Sequence, residues 1–360
     1  MRVGINATFL TARPSGAKNR FINIYIPFIK IAKHIKFVIF EPKNFSIKKN
    51  YKNIKNLTFV KTTISNEVRF AKIFYQYFYW QRILKKYKFD VFENFSFPTI
   101  KNSFGKTIST IHDLRFVQNF SSYFDRMLFK LTLCMSLNKN DFIFVVSNTI
   151  KNELSNFFPN KKIVTIFNSI PKRKIRIKIS FKKKFRIKKK YVLSVGHLEK
   201  RKNYLKLIES FKIFNKDHKN SYNLIIIGND NGYKNIIDDL IIKLNIKNDV
   251  MIFSGITNEE LFAAYKECDL FIFPSIYEGF GIPILEAISF SSRICLSNID
   301  VFREIAKNKA NYFDPKSLNS IVKTMNHALN KKNVFKRFYI QRFSEQNVVD
   351  ELNSFYKKIL

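Results

Sequence analysis

Apolar residues fall along this chain in short unbroken runs, separated by longer polar or amphipathic stretches. RVGINATF (2–9), FVIF (37–40), LTFV (57–60), DVFENF (90–95), KTISTIHD (106–113), DFIFVVS (141–147) and IVTIFN (163–168) form one series. YVLSVG (191–196), NLIIIG (223–228), VMIFSG (250–255), DLFIFPS (269–275) and RICLSN (293–298) form a second. Near-continuous runs of this length predict strands buried on both faces, as in parallel sheets. The stretches between them are long enough for helices. Two series therefore predict an α/β chain of two Rossmann-like, doubly wound domains. The final stretch, FSEQNVVDELNSFYKKIL (343–360), spaces its apolar residues as a packed terminal helix does.

Between the series lies PKRKIRIKISFKKKFRIKKK (171–190), twelve of whose twenty residues are Lys or Arg. This divides the chain into an N-terminal domain (1–170), a basic linker with a short helix (171–190), a C-terminal domain (191–340) and a terminal helix (341–360). The basic stretch reads as a solvated linker, or as a patch for an anionic membrane or nucleic acid.

At 360 residues and 46% hydrophobic, the chain is long enough for two cores, and disorder as its main state is excluded. Three scattered cysteines, Cys134, Cys268 and Cys295, fit a reducing compartment rather than a disulfide framework or zinc site. No apolar run reaches the ~18 residues of a membrane-spanning helix, and the N-terminus lacks the apolar region of a signal peptide. A cytoplasmic protein is expected. Its 64 Lys and Arg against 27 Asp and Glu give a formal charge of +37. Part of that reflects a Lys-, Asn-, Ile- and Phe-rich composition; the remainder fits attraction to an anionic surface, with peripheral association at the membrane's inner face.

Ligands of open parallel sheets bind beyond the carboxyl ends of the strands, so the residues just after each run carry the chemistry. After DLFIFPS comes IYEGFGIPILEA. Glycine is scarce, 9 in the chain, yet Gly279 and Gly281 fall here around Phe280, with Pro283 suited to a first helical turn. Free amides at such a helix start suit a phosphate or sugar hydroxyl, and Glu278 and Glu286 are suited to gripping hydroxyls. A plain strand–helix turn with a dipole-compensating glutamate is the alternative. After YVLSVG, Arg201 and Lys202 follow Gly196 in GHLEKRKN; two cations at a strand end can neutralise a diphosphate, or are surface charges of a Lys-rich chain. His112 and Asp113 follow a buried strand in TIHDLRF, in a structural or a functional role. Gly16, in TARPSGAKNRF, could let a loop approach a ligand. No GxxxxGK[ST], GxGxxG, Asp-x-Asp or His/Cys cluster occurs, which leaves P-loop, dinucleotide and metal chemistry without support.

With those residues in view, the chain resembles the family 4 glycosyltransferases of the GT-B fold, retaining enzymes that use nucleotide sugars, and in particular mannosyl-type members. The match is most specific in GHLEKRKN and in PSIYEGFGIPILEA, where seven residues separate Glu278 from Glu286. STIHDLRF, VVSNTIKNEL, VTIFNSI, NEELFAAYKECDLFIFPS and SNIDVFREIAKNKANYFDP, with Glu304, follow in family order, nearly end to end. The resemblance implies two domains facing a cleft, the N-terminal one on the acceptor side, the C-terminal one holding the donor, and the terminal helix crossing back. It implies Arg201 and Lys202 on the donor diphosphate, Glu278 on hydroxyls of the transferred sugar, and the Gly279–Gly281 backbone beside it. Gly196 would lie at the same strand end, and Glu286 would hold the ribose. His112 would sit at the reacting sugar and Gly16 in the loop near donor and acceptor.

The implied donor is GDP-mannose or another nucleoside-diphosphate hexose, with no metal or other cofactor required. The implied acceptor is a glycan or lipid-linked oligosaccharide of a cell-envelope polysaccharide such as lipopolysaccharide, O-antigen or capsule. An anionic membrane surface is a further partner, and nucleic acid is not expected. Ser169, Ser291 and Glu93 depart from the pattern, standing where family members usually have Gly, Gly and often His. A nucleic-acid-binding protein, a sugar phosphorylase or epimerase of the same fold, and a catalytically degenerate member are the competing readings.

Overall fold

The computed structural model describes residues 1–12, 15–64, 72–95, 98–114, 123–170, 177–290, 293–330 and 341–360, with the side chains of 72–77, 123, 125, 128 and 129 also set aside. Ser291 and residues 171–176 of the basic stretch lie outside the described residues. The chain divides into two compact units: Met1–Pro171 with Gln341–Leu360, and Lys172–Ile340.

The first unit is built on a seven-stranded parallel sheet: β1 (Arg2–Asn6), β2 (Lys36–Glu41), β3 (Leu57–Lys61), β4 (Val91–Asn94), β5 (Lys106–Ile111), β6 (Phe142–Val145) and β7 (Ile163–Thr165). Their order is β3-β2-β1-β4-β5-β6-β7. All seven apolar runs of the first series become strands, because a strand covered on both faces leaves no side for polar residues. The first helix runs from Gly16 through a π-helical stretch, Phe21–Tyr25, to Ile31. The terminal helix, Glu345–Ile359, is capped by Ser344, whose hydroxyl accepts from Asn347 N at 3.2 Å. It inserts Val348, Val349, Leu352 and Tyr356 into the core made by β1 and the first helix.

The second unit carries a six-stranded parallel sheet: β8 (Lys190–Val195), β9 (Tyr222–Ile227), β10 (Val250–Phe253), β11 (Leu270–Phe273), β12 (Ile294–Ser297) and β13 (Asn311–Phe313), in the order β10-β9-β8-β11-β12-β13. Five were anticipated as apolar runs. The sixth, β13, is a three-residue edge strand burying only Phe313, too short to register as a run. The order reverses between β8 and β11, and in the first sheet between β1 and β4. Such reversal points leave a crevice beyond the carboxyl ends of the strands where ligands bind. In the second unit the loops leaving β8 and β11 are the two that carry GHLEKRKN and IYEGFGIP.

Candidate active site

Beyond β8 the chain stays beside β9: Gly196 N donates to Ile227 O and Leu198 N to Asn229 O, each at 2.9 Å. A single 3-10 turn, Lys200–Lys202, follows, and Asn203, left-handed at φ 59°, starts the helix Tyr204–Asp217. The turn directs Lys202 inward, where it is only 6% exposed. Its amine lies against the Gly196 backbone: a Cβ on Gly196 would fall 3.1 Å from Nζ and 3.2 Å from the Tyr204 hydroxyl. Tyr204 itself donates to Gly196 O at 2.8 Å. Gly228, which follows β9, is needed for the same packing, because a Cβ there would lie 1.9 Å from the Gly196 carbonyl oxygen.

Beyond β11, Ile276 N donates to Arg201 O at 2.9 Å, and Arg201 NH1 donates to Tyr277 O at 3.0 Å. The two loops are thus tied backbone to backbone, and Glu278 is held at the cations. One of its carboxylate oxygens is 2.5 Å from Lys202 Nζ and accepts from Ser275 Oγ at 2.8 Å; the other is 2.6 Å from Arg201 NH1. Glu199 takes the other end of Arg201, Oε1 to NH2 at 2.6 Å. Two cations and two carboxylates meet, with no formal net charge. Burial alone would raise the Glu278 pKa, but Lys202 and Arg201 outweigh it and hold the carboxyl at about 2. Burial lowers the Lys202 pKa in spite of Glu278, with Arg201 acting in the same direction.

The turn then enters the helix Ile282–Ser289 through Gly281, whose φ of 111° explains a glycine there. A Cβ on Gly281 would also press on Ile284 and Phe302, at 3.0 and 3.1 Å. Phe280 is buried, so what it offers a ligand is its backbone. Glu286 falls in the second turn of this helix, half-buried, where its Oε2 accepts from the buried Tyr265 hydroxyl at 2.9 Å. Burial raises the Glu286 pKa, partly countered by that hydrogen bond. The two glutamates therefore differ in direction: the cations draw the Glu278 pKa down, while burial pushes that of Glu286 up.

The second unit thus gathers Gly196, Arg201, Lys202 and Glu278 into one cluster, with Gly281 and Glu286 on the helix that follows. His112 and Gly16 belong to the first unit. His112 directly follows β5, half-buried, its ring 6.4 Å from that of Phe95. Gly16 is exposed at a helix start capped by Ser15, and among the described residues, its chain neighbours and the helix's own backbone aside, no atom lies within 4 Å of where a Cβ would stand. Asp113 and Glu304 are half-buried. Of the departures, Ser169 is buried, its hydroxyl 3.4 Å from Asn23 O, and Glu93 is fully buried among hydroxyls. Glu199, Ser275, Tyr265 and Gly228 were not singled out from the sequence. Glu199 lies inside GHLEKRKN and Gly228 ends a strand run as Gly196 does, so both signals were present.

With this geometry established, residues 175–342, which span β8 to β13, match the family Glycosyl transferases group 1. The match covers that stretch alone, to a family also called family 4 whose members use nucleotide-sugar donors; the chain is a glycosyltransferase with the GT-B fold. Among its relatives is the O-antigen chain mannosyltransferase RfbU of Salmonella typhimurium, 29% identical over 77% of this chain and 76% of that one. The fold matches sucrose-phosphate synthase from Thermosynechococcus elongatus, with a TM-score of 0.77 and 14% identity over 99% of this chain and 98% of that one. It also matches WaaG, a glycosyltransferase involved in lipopolysaccharide biosynthesis, with a TM-score of 0.73 and 14% identity over 99% of each chain. Among the described residues, no helix is long and apolar enough to cross a membrane.

Proposed function

We propose that the chain transfers a hexose, with retention at the anomeric carbon, from a nucleoside-diphosphate sugar to a glycan or lipid-linked acceptor in cell-envelope polysaccharide assembly. The observation that carries this reading is the buried cluster of Arg201, Lys202 and Glu278 at the reversal point of the second sheet. In the donor complex the diphosphate takes the two cations, and Glu278, released from them, accepts from hydroxyls of the transferred sugar. Negative charge grows on the leaving diphosphate during transfer, so fixed cations there act on the transition state more than on the ground state. The Gly279–Gly281 backbone lies beside the sugar, and Glu286, oriented by Tyr265, holds the ribose. His112 and Gly16, carried by the first unit, serve the reacting sugar and the acceptor.

Arg201 and Lys202 supply the charge that a divalent ion would otherwise provide, so no metal is needed, and no cofactor beyond the donor. GDP-mannose is the favoured donor, because relatives such as RfbU are named as mannosyltransferases. The charge of +37 supports work on the cytoplasmic face of an anionic membrane rather than on nucleic acid, for which the sequence carries no recognisable binding module. The test is a thermal-shift screen of nucleotide sugars, followed by transfer assays with and without EDTA. GDP-mannose should raise the melting temperature and EDTA should leave turnover intact. Lys202→Ala and Glu278→Ala should each cut turnover at least a hundredfold; wild-type turnover in both would sink the site assignment.

A further inference from the structure

The second unit carries a basic hollow that the reaction proposed above does not use. It measures about 430 Å³, within the roughly 300–1,000 Å³ of small-molecule sites. Edge strand β13 lines it, together with Arg303 of the helix Asp300–Ala306 and Lys323 and His327 of the helix Leu318–Asn330. In the sheet, β13 stands two strands from β11 and three from β8, so about 10 Å or more of sheet separates the hollow from the strands that carry Arg201, Lys202 and Glu278.

Arg303 is held on two sides. Its Nε donates to Asn298 Oδ1 at 2.7 Å, and its guanidinium lies 3.8 Å from the centre of the Tyr312 ring. Tyr312 is fixed in turn, its hydroxyl reaching the carbonyl oxygens of Phe302, at 3.2 Å, and of Lys307. The planar fork is thus set in advance, and among the described residues its two Nη atoms have no partner in the chain. Lys323 and His327 stand one helical turn apart, about 6 Å along the axis. No acid lines the hollow, and among the described residues no carboxylate pairs with Arg303, Lys323 or His327. The cations of the donor cluster differ in this respect, since Glu278 and Glu199 already neutralise them.

We propose that this hollow is a second ligand site, which binds a phosphomonoester of monosaccharide size. A phosphomonoester carries close to two negative charges and three strong acceptor oxygens. Arg303 takes two of those oxygens with its fork, Lys323 supplies the second positive charge, and His327 has an N–H to donate in either protonation state. A fork already fixed by Asn298 and Tyr312 loses little freedom on binding. A carboxylate offers only one charge and two oxygens, so it leaves part of the set unused.

The full-length chain is titrated calorimetrically with glucose 6-phosphate, inorganic phosphate and glucuronate. Glucose 6-phosphate should bind most tightly, and glucuronate at least tenfold more weakly. Arg303→Gln/Lys323→Gln, both exposed positions, should lose at least tenfold in affinity for glucose 6-phosphate with an unchanged melting temperature. Lys216→Gln/Lys243→Gln removes the same charge from exposed helix positions elsewhere in this unit and should leave that affinity within twofold. No binding by wild type, wild-type affinity in the Arg303 and Lys323 variant, or equal losses in the two double variants would overturn the proposal. Equal affinity for inorganic phosphate or for glucuronate would overturn the sugar-phosphate assignment. Binding lost in Lys202→Ala but kept in the Arg303 and Lys323 variant would place the phosphate at the donor cluster instead. No nucleotide sugar enters these titrations, so their failure leaves the transferase reading standing.

Discussion

Glu278 holds Lys202 at 2.5 Å and Arg201 at 2.6 Å, so the two cations assigned to the donor diphosphate already have a counter-ion inside the chain. On the proposed reading a diphosphate takes Glu278's place, and the freed carboxylate becomes available to the sugar. The expected consequence is that Glu278→Gln binds a free nucleoside diphosphate about tenfold more tightly than wild type while losing transfer activity. The same substitution leaves buried cations uncompensated and should destabilise the fold by about 3–5 kcal/mol. Calorimetric titration with GDP, beside thermal unfolding, checks both. Unchanged GDP affinity would mean that Arg201 and Lys202 do not hold the phosphates.

The two glutamates should respond to pH in opposite directions. Glu278 titrates at about 2 in the fold against an ordinary 4.5, so its stabilisation is complete above the ordinary value and is lost as pH falls toward 2. The stability gap between wild type and Glu278→Gln should therefore narrow between about pH 5 and pH 3. Glu286 is shifted upward by burial, so ionising it works against the fold as pH rises past its ordinary value. Glu286→Gln should accordingly be neutral or stabilising at pH 7 and lose any advantage near pH 4. Urea unfolding across that range separates the two, and a parallel pH response would refute the contrast.

Tyr265→Phe removes the hydroxyl that donates to Glu286. If Glu286 holds the ribose, the variant should raise the donor KM about fivefold, the worth of a single hydrogen bond of about 1 kcal/mol, and leave kcat nearly unchanged. Steady-state kinetics with varied donor distinguish this from a structural role, which would lower both the melting temperature and kcat.

Most strands were legible because parallel strands covered on both faces must be written as apolar runs. The three-residue β13 was not, since only Phe313 supplies an apolar signal. The site was legible by residue type but not by pairing. Arg201, Lys202 and Glu278 stood out at strand ends, yet nothing in their spacing says that Glu278 faces the cations, because that depends on β8 and β11 being neighbours. Gly228 shows the same limit, since its need for hydrogen comes from Gly196, thirty-two positions away in sequence. Gly228→Ala should therefore misfold or lose several kcal/mol, whereas Gly16→Ala, with open space around it, should leave stability unchanged. Equal melting temperatures for the two variants would contradict this.

Glu93 is the residue whose role changed most between sequence and structure. It stands on β4 where a histidine is frequent in the family, and it is fully buried. Its Oε1 accepts from the Tyr25 hydroxyl and from Thr110 Oγ1 at 2.9 Å, and its Oε2 accepts from the Tyr356 hydroxyl at 2.7 Å. One carboxyl thus joins the first helix, β5 and the terminal helix. Burial pushes its pKa up, while Tyr25, Tyr356, Thr110 and Arg20 pull it back down by favouring the charged form. A raised carboxyl weakens the fold as pH climbs above its ordinary value, and each hydroxyl that favours the carboxylate limits that loss. Tyr356→Phe should therefore cost about 1 kcal/mol, and cost more at pH 9 than at pH 4, below the ordinary carboxylate range. Urea unfolding at the two pH values measures the difference. A penalty that does not grow with pH would mean that the Tyr356 hydroxyl does not favour the Glu93 carboxylate.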